Sequence, residues 1–210
     1  MSAPLSHMKE ENQHKDGDDD YRYVKLCQEG DTEAFEPLVR RHQKKMFNIA
    51  YRMTGSYDDA LEVVQESFLS AYRMIVKFRG EAKFSTWLYG IVVNHARNRI
   101  RQTQNRLRHE VVSLDDAPAG KESAISCPPS TGSVAPVDGL IKKETQAKVQ
   151  DCICGLDAEH REVIVLRDIQ GFSYNDIARM LNINDGTVKS RLSRARNALK
   201  ESLKKVSGGL

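Results

Sequence analysis

The sequence has no long apolar run and only four cysteines, and each shortage argues against a class of protein. No stretch of about 18 consecutive apolar residues occurs, so no membrane-spanning helix is expected. The N-terminal segment has neither an apolar signal core nor an arginine-rich amphipathic pattern, and we expect a cytoplasmic protein. Because the cysteines lack a paired spacing, a secreted disulfide framework is not expected either.

The charges are distributed unevenly, although the net charge is only +3. Residues 1–36 carry ten acids and four bases, whereas residues 91–110 carry five arginines and one glutamate. Residues 185–205 carry seven bases and two acids. Two separate basic segments predict two contacts with a polyanion, and solvated helix faces are the alternative explanation.

Helical periodicity runs through most of the chain and alternating strand patterns are almost absent, which predicts an all-α protein. Two apolar stripes at helical spacing, separated by the turn-like stretch TGSYDD, predict two amphipathic helices in the N-terminal half. The first stripe consists of Phe35, Leu38, Val39, Met46, Ile49, Ala50 and Met53. The second consists of Leu61, Val64, Phe68, Ala71, Tyr72 and Ile75.

Capping residues predict where the next helices begin. Asp59, with Glu62 three residues later, resembles a capping box for the second helix. Ser85 is the expected N-cap of a third helix that runs from about Thr86 past Ile100. Trp87 has apolar neighbours in this helix, which favours a place in the core.

Segment 111–139 has no apolar period and contains four of the six prolines, so we expect a flexible linker. Its roughly 30 residues would span up to about 100 Å when extended. The acidic residues 1–20 are likewise expected to be disordered. The predicted architecture is therefore two small helical domains, residues 21–110 and 140–210, joined by a tether.

The stretch SYNDIARMLNINDGTVKSRLSRARNALK has the pattern of a helix-turn-helix. Ser173 and Asp176 have capping-box spacing, and the three residues NIN separate a short helix from a basic one. A helix fits the major groove, where lysine and arginine side chains reach guanine acceptors and phosphates. The basic helix is expected to bury Val188, Leu192, Ala195 and Leu199 and to expose Lys189, Ser190, Arg191, Ser193, Arg194 and Arg196.

The C-terminal stretch LDAEHREVIVLRDIQGFSYNDIARMLNINDGTVKSRLSRARNALKE resembles region 4 of the extracytoplasmic-function (ECF) sigma factors of bacterial RNA polymerase. FEPLVRRHQKKMFNIAYRMTGSYDDALEVVQESFLSAYR resembles their regions 2.1 and 2.2, and FRGEAKFSTWLYGIVVNHARNRIRQ resembles regions 2.3 and 2.4. The resemblance implies a non-enzymatic factor that directs the polymerase core to promoters. It implies no cofactor, no metal and no small-molecule substrate.

The resemblance also implies three sets of contact residues. The minus-ten element would be bound and melted by the third helix and the loop before it, through Phe78, Arg79, Gly80, Tyr89, Asn94, Asn98 and Arg101. The minus-thirty-five element would be bound by Thr187, Lys189, Ser190, Arg191, Ser193 and Arg194. The polymerase core would be bound by Asp58, Asp59, Glu62, Gln65 and Glu66.

The expected partners are promoter DNA, the β′ clamp and β flap of the polymerase core, and an anti-sigma factor that controls a stress response. The linker would thread through the polymerase cleft. Loop 78–85 would receive a flipped promoter base, because stacking on an aromatic ring is worth about 1–3 kcal/mol.

Three alternatives have weaker support. A response-regulator transcription factor would need the alternating strands of a receiver domain. A DNA-cutting recombinase would need a nucleophile such as Ser67, Ser70 or Ser85, and no activating base is evident near these serines in the sequence. Zinc binding by Cys152, Cys154 and His160 would lack a fourth ligand.

Overall fold

The computed structural model describes residues 20–112 and 137–207, and all regular structure in these two ranges is helical. The all-α prediction is confirmed. Helix α1 covers residues 20–28, and the other helices are α2 (Phe35–Thr54), α3 (Tyr57–Met74), α4 (Phe84–Val112), α5 (Val137–Cys154), α6 (Ala158–Ile164), α7 (Tyr174–Leu181) and α8 (Asp185–Ser207). A 3₁₀ turn, Ile75–Lys77, follows α3, and a π-helical turn, Val165–Ile169, continues α6.

The N-terminal half consists of α1 to α4, in which α2, α3 and α4 pack against one another around a shared apolar core. The predicted stripe of α2 is buried at Leu38, Met46, Ile49, Ala50 and Met53. Helix α2 ends at Gly55, whose φ of 75° lies in the left-handed region that glycine adopts without strain.

Two of the predicted helix starts are wrong. Ser56 is the N-cap of α3: its backbone is extended and its Oγ accepts a hydrogen bond from Asp59 N at 3.3 Å. The Asp59 and Glu62 carboxylates instead bind Arg99 of α4. Helix α4 begins at Phe84, so Ser85 lies inside its first turn.

The predicted apolar stripe of α3 is only partly correct. The face that packs inward carries small residues, Ala60, Ser67 and Ala71, together with Val63. Leu61 and Tyr72 were expected in the core but are 47% and 41% exposed. Small side chains on the inner face let neighbouring helices approach closely, and the larger apolar residues are then left on the outer surface.

The C-terminal half contains the predicted helix-turn-helix. Ser173 is the N-cap of α7 and accepts a hydrogen bond from Asp176 N, as the spacing indicated. Helices α7 and α8 are separated by residues 182–184, and Asn182 ends α7 in the left-handed conformation with φ 53°. The predicted inner face of α8 is buried at Val188, Leu192 and Ala195, and Leu199 is half-buried.

The two halves pack directly against each other along α4. Gly90 of α4 is buried, and a Cβ atom built on it would lie 3.6 Å from both Cα and the carbonyl oxygen of Met180 on α7. Thr86 Oγ1 also donates to Asp176 Oδ1 at 3.2 Å. The backbones of α4 and α7 therefore lie close together at Gly90, with room between them for about one methyl group in ordinary van der Waals contact.

A second part of the junction joins the C-terminal end of α2 to α5 and α6. Gln150 Oε1 accepts a hydrogen bond from Arg52 at 2.8 Å. Arg161 is buried, donates to the carbonyl oxygen of Met53 and also binds the carbonyls of Cys154 and Leu156. Burial lowers the pKa of Arg161.

Residues 1–19 and 113–136 lie outside the described residues, and with them lie most of the predicted acidic tail and most of the predicted linker. At the edges of these segments, residues 111–112 and 137–139 are helical. Asp20 is buried, with its carboxylate bound to Arg41 and His42. None of the described helices is both long and apolar enough to cross a membrane.

The capping assignments predict different effects for two serines. Ser173→Ala removes the cap of α7 and should lower the free energy of unfolding by about 1 kcal/mol, measured by urea denaturation. Ser85→Ala is the matched control and should change it by less than about 0.5 kcal/mol, because Ser85 lies within the first turn of α4. A larger loss for Ser85→Ala than for Ser173→Ala would contradict both assignments.

Candidate nucleic-acid interface

The loop before α4, residues 78–83, is held at its base by an aromatic cluster and by one glutamine. Phe78 packs edge-on against Phe84 at 5.8 Å and lies 5.1 Å from Trp87, measured between ring centroids. Gln28 Nε2 donates to the carbonyl oxygens of Ile75 and Phe78, at 3.0 and 2.9 Å. The start of the loop is therefore fixed while its tip projects.

The tip of this loop is exposed. The Arg79 side chain is 84% exposed, and Gly80 has a φ of 75°. Trp87 is half-buried and packs on Phe78 and Phe84, so its ring supports the loop directly. Sequence reasoning placed Trp87 in the core and left it out of the candidate site.

Tyr89 lies on a different side of α4 from Trp87 and is 3% exposed. Its hydroxyl lies 2.6 Å from Nδ1 of His42, whose Nε2 lies 2.8 Å from Asp20 Oδ2. The His42 ring therefore links the Tyr89 hydroxyl to the Asp20 carboxylate. The Tyr89 ring packs on Phe172, which belongs to the C-terminal half, and Lys45 Nζ lies 4.3 Å from the Phe172 ring centroid.

Asn94, Asn98 and Arg101 are exposed and lie along one face of α4. Arg97 lies on the same face, and its guanidinium reaches Asn94 Oδ1 at 3.5 Å. Two guanidinium nitrogens of Arg97 also donate to the carboxylate of Glu162 in α6. The hydrogen bond with Glu162 raises the pKa of Arg97. Amides and cations thus share a face that suits base edges and phosphates.

Helix α8 presents a basic surface opposite its buried stripe. Ser190, Ser193 and Arg194 are exposed at the centre of this surface, and Thr187 is half-buried near its N-terminal end. At the edges, Lys189 binds Asp185 at 2.6 Å and Arg191 binds Glu159 at 2.9 Å. The hydrogen bond with Asp185 raises the pKa of Lys189.

Most of the five polar residues of α3 that were assigned to core binding are exposed: Asp58, Glu62, Gln65 and Glu66 are exposed, and Asp59 is half-buried. Asp59 and Glu62 bind Arg99, and Glu66 Oε2 lies 3.2 Å from His95 Nδ1. The hydrogen bond with Asp59 raises the pKa of Arg99. Two basic residues of α4 therefore bind the carboxylates of α3.

Exposed apolar side chains lie on the same face of α3, and of the 3₁₀ turn after it, as Asp58 and Gln65. Leu61, Leu69, Tyr72 and Val76 recur at helical spacing and are 47%, 55%, 41% and 68% exposed. Sequence reasoning missed Leu69 and Val76 and placed the other two in the core. A second apolar stripe beside the first was the signal that could have identified them, because it predicts a helix with two contact faces.

One of the serines considered as a nucleophile does have a base beside it. Ser70 Oγ lies 2.9 Å from His95 Nε2, and Glu66 is on the other side of the imidazole. Ser70 lies inside α3, where the backbone N–H groups already donate to carbonyls one turn earlier. Those N–H groups cannot stabilise an oxyanion, so these three residues serve to join α3 to α4.

The residues considered as zinc ligands have other contacts. Cys152 is buried, Cys154 Sγ accepts a hydrogen bond from Gln150, and His160 lies 3.6 Å from Asp157. In residues 20–112 and 137–207, no group of three histidine, cysteine or acidic side chains has the geometry to bind a metal ion.

Two family models match the chain. Sigma-70 region 2 matches residues 38–106, and Sigma-70, region 4 matches residues 146–199. The first match covers most of α2, all of α3 and most of α4, and the second runs from within α5 to within α8.

Curated relatives match nearly the whole chain. The ECF RNA polymerase sigma-E factor of Haemophilus influenzae is 36% identical, over 88% of this chain and 95% of the relative. The RNA polymerase sigma-H factor of Pseudomonas aeruginosa is 34% identical, over 88% of this chain and 93% of the relative. The ECF RNA polymerase sigma factor SigW of Bacillus subtilis is 35% identical, over 86% of this chain and 95% of the relative.

Solved structures show the same fold. The sigma factor RpoE of Bartonella quintana, in complex with the anti-sigma factor NepR, aligns with a TM-score of 0.59 at 27% identity, over 82% of this chain and 98% of that one. CnrH, in complex with the cytosolic domain of CnrY, aligns with a TM-score of 0.64 at 24% identity, over 89% of this chain and 98% of CnrH. Because the three curated relatives are 34–36% identical over most of both sequences, the chain belongs to the ECF sigma factors of bacterial RNA polymerase.

Proposed function

We propose that the two halves of this sigma factor divide promoter recognition between them. Helix α8 reads the minus-thirty-five element, and α4 with loop 78–83 binds and melts the minus-ten element. The observation that carries this proposal is the surface of α8, where Ser190, Ser193 and Arg194 are exposed opposite an apolar face that anchors the helix. A basic helix held in this way can enter a major groove with its side chains directed at the bases.

Promoter binding requires the two halves to separate. The two elements are, by their names, about 25 base pairs apart, which is roughly 85 Å of B-form DNA. In the structure α7 contacts α4, and α8 packs on α7. The two DNA-reading helices are therefore separated by at most about two interaxial distances, or roughly 20 Å. One promoter cannot bind both helices until the contact between α4 and α7 opens.

The outer face of α3 is the proposed docking surface for the polymerase core. It combines the exposed polar residues Asp58 and Gln65 with the apolar side chains Leu61, Leu69 and Tyr72. An apolar strip with a polar border is the composition expected of a protein-binding surface. Because Arg99 and His95 bind its carboxylates, this surface is also tied to α4.

Control by an anti-sigma factor is a further part of the proposal. RpoE of Bartonella quintana was solved in complex with its anti-sigma factor NepR, and this chain covers nearly all of that protein. We expect this factor to act in the cytoplasm, with the polymerase, and to respond to stress.

The test of the proposed function is transcription in vitro with purified core polymerase and a genomic promoter library. The full-length protein should bind core and yield transcripts from a subset of promoters that share two elements. A protein that does not bind core polymerase would refute the proposal.

Asn94→Ala should weaken minus-ten selectivity roughly tenfold, because one amide that pairs with a base edge is lost. The measurement is competition between promoters with intact and altered minus-ten elements, with core binding unchanged. Asn48→Ala is the control, since it removes an exposed amide from α2. If Asn94→Ala changes only thermal stability, the assignment of this face of α4 is wrong.

Arg194→Ala should lower affinity for the minus-thirty-five element roughly tenfold or more, because a guanidinium that reaches base edges is removed. The readout is the ratio of binding to intact and scrambled elements. Lys200→Ala removes an exposed lysine further along α8 and should weaken binding to the intact and the scrambled element equally. A ratio unchanged by Arg194→Ala would exclude Arg194 from sequence recognition.

A further inference from the structure

The ion pair between Arg97 and Glu162 lies on the surface that is proposed to bind the minus-ten element. Arg97 comes three residues after Asn94 and four before Arg101, so the three side chains share one face of α4. The hydrogen bond between Arg97 and Asn94 places the guanidinium within this surface. Arg97 belongs to the basic segment 91–110, but it is not among the minus-ten contacts that the resemblance implies.

Glu162 contacts Arg97 as a DNA phosphate would. Its side chain is only 3% exposed, and its two carboxylate oxygens accept hydrogen bonds from two nitrogens of the same guanidinium. Carboxylates and phosphates accept this bidentate geometry from arginine equally well. Glu162 thus occupies the Nε and Nη2 edge of the guanidinium, and Nη1 donates to Asn94 Oδ1, so the edge that Glu162 holds is not available to a phosphate.

Other acids of the C-terminal half also face α4. Asp176 accepts the hydrogen bond from Thr86. The charge of Glu159 adds to that of Glu162 in raising the pKa of Arg97. The C-terminal half therefore places three carboxylates near a helix whose proposed ligand is a polyanion.

We infer that Arg97 is a further promoter-binding residue, and that Glu162 occupies its guanidinium in the free protein in place of a DNA phosphate. This inference rests on the proposed assignment of α4 to the minus-ten element. When the contact between α4 and α7 opens, Glu162 leaves with α6 and Arg97 becomes available to the DNA. The C-terminal half thus competes with promoter DNA for one residue of α4.

The test measures binding of the full-length protein without core polymerase, the state in which Glu162 holds Arg97, to a forked DNA that carries the minus-ten element and no minus-thirty-five element. Arg97→Ala should lower affinity roughly tenfold and reduce the slope of log affinity against log salt by about 1. Arg97→Lys should retain the slope, because the charge is kept. Glu162→Gln should raise affinity several-fold, and Glu159→Gln is the matched control with a smaller effect.

The double variant Arg97→Ala/Glu162→Gln separates competition from general loosening of the structure. It should bind no better than Arg97→Ala alone, because Glu162 acts through Arg97. If Arg97→Ala leaves affinity and slope unchanged while Asn94→Ala still weakens binding, the inference is wrong and the proposed function stands. If neither substitution has an effect, the assignment of α4 itself is wrong.

Two outcomes would overturn the role of Glu162 and leave that of Arg97 intact. One is that Glu162→Gln leaves the affinity for DNA unchanged. The other is that Glu162→Gln raises the affinity equally in the wild-type protein and in the Arg97→Ala protein. Should Glu162→Gln fail to fold, Asp176→Asn and Thr86→Val weaken the same junction from outside the ion pair. Each should then raise affinity in the presence of Arg97 and leave the affinity of the Arg97→Ala protein unchanged, and any other result contradicts the role of Glu162.

Discussion

A buried carboxylate needs a cation beside it, and Glu162 has its cation, Arg97, on the other half of the chain. Leaving such a charge buried without its partner costs about 3–5 kcal/mol. The neighbouring Arg161 is also buried and binds a backbone carbonyl of α2. Two consecutive residues of α6 thus tie the C-terminal half to both α2 and α4.

This junction has the composition of a contact that can open. Gly90 against Met180 and Tyr89 against Phe172 are apolar contacts, but ion pairs and side-chain hydrogen bonds lie around them. Polar groups at such a surface are solvated by water when the halves separate, so separation costs less than opening an apolar core. The proposed function requires the two DNA-reading helices to lie far apart on a promoter, and a polar junction is suited to that requirement.

The sequence was most informative where structure is local. The cap at Ser173, the three-residue turn and the buried face of α8 were predicted correctly, because each depends on residues within one or two helical turns. Periodicity could not show which face of α3 packs inward, since that face carries small residues such as Ala60 and Ser67. The cap assignment at Ser85, which lies inside α4, was wrong because a serine before an apolar run is only one of several possible caps.

The candidate site could be predicted only as a set of positions along helices. Asn94, Asn98 and Arg101 are exposed on one face of α4, as their spacing indicated. Burial of Tyr89, support of the loop by Trp87 and pairing of Arg97 with Glu162 all depend on contacts between distant segments. The last of these joins residues 65 positions apart, on helices from different halves of the chain. Helical periodicity carries no information about such contacts.

We propose that the two halves are packed together in the free protein and separate on a promoter. Single-molecule fluorescence can measure the distance between them, with dyes attached through non-natural residues at the exposed positions 33 and 200. We expect one short distance in the free protein and an increase of several tens of ångströms in the complex with core polymerase and promoter DNA. The same distance in both states would contradict the account.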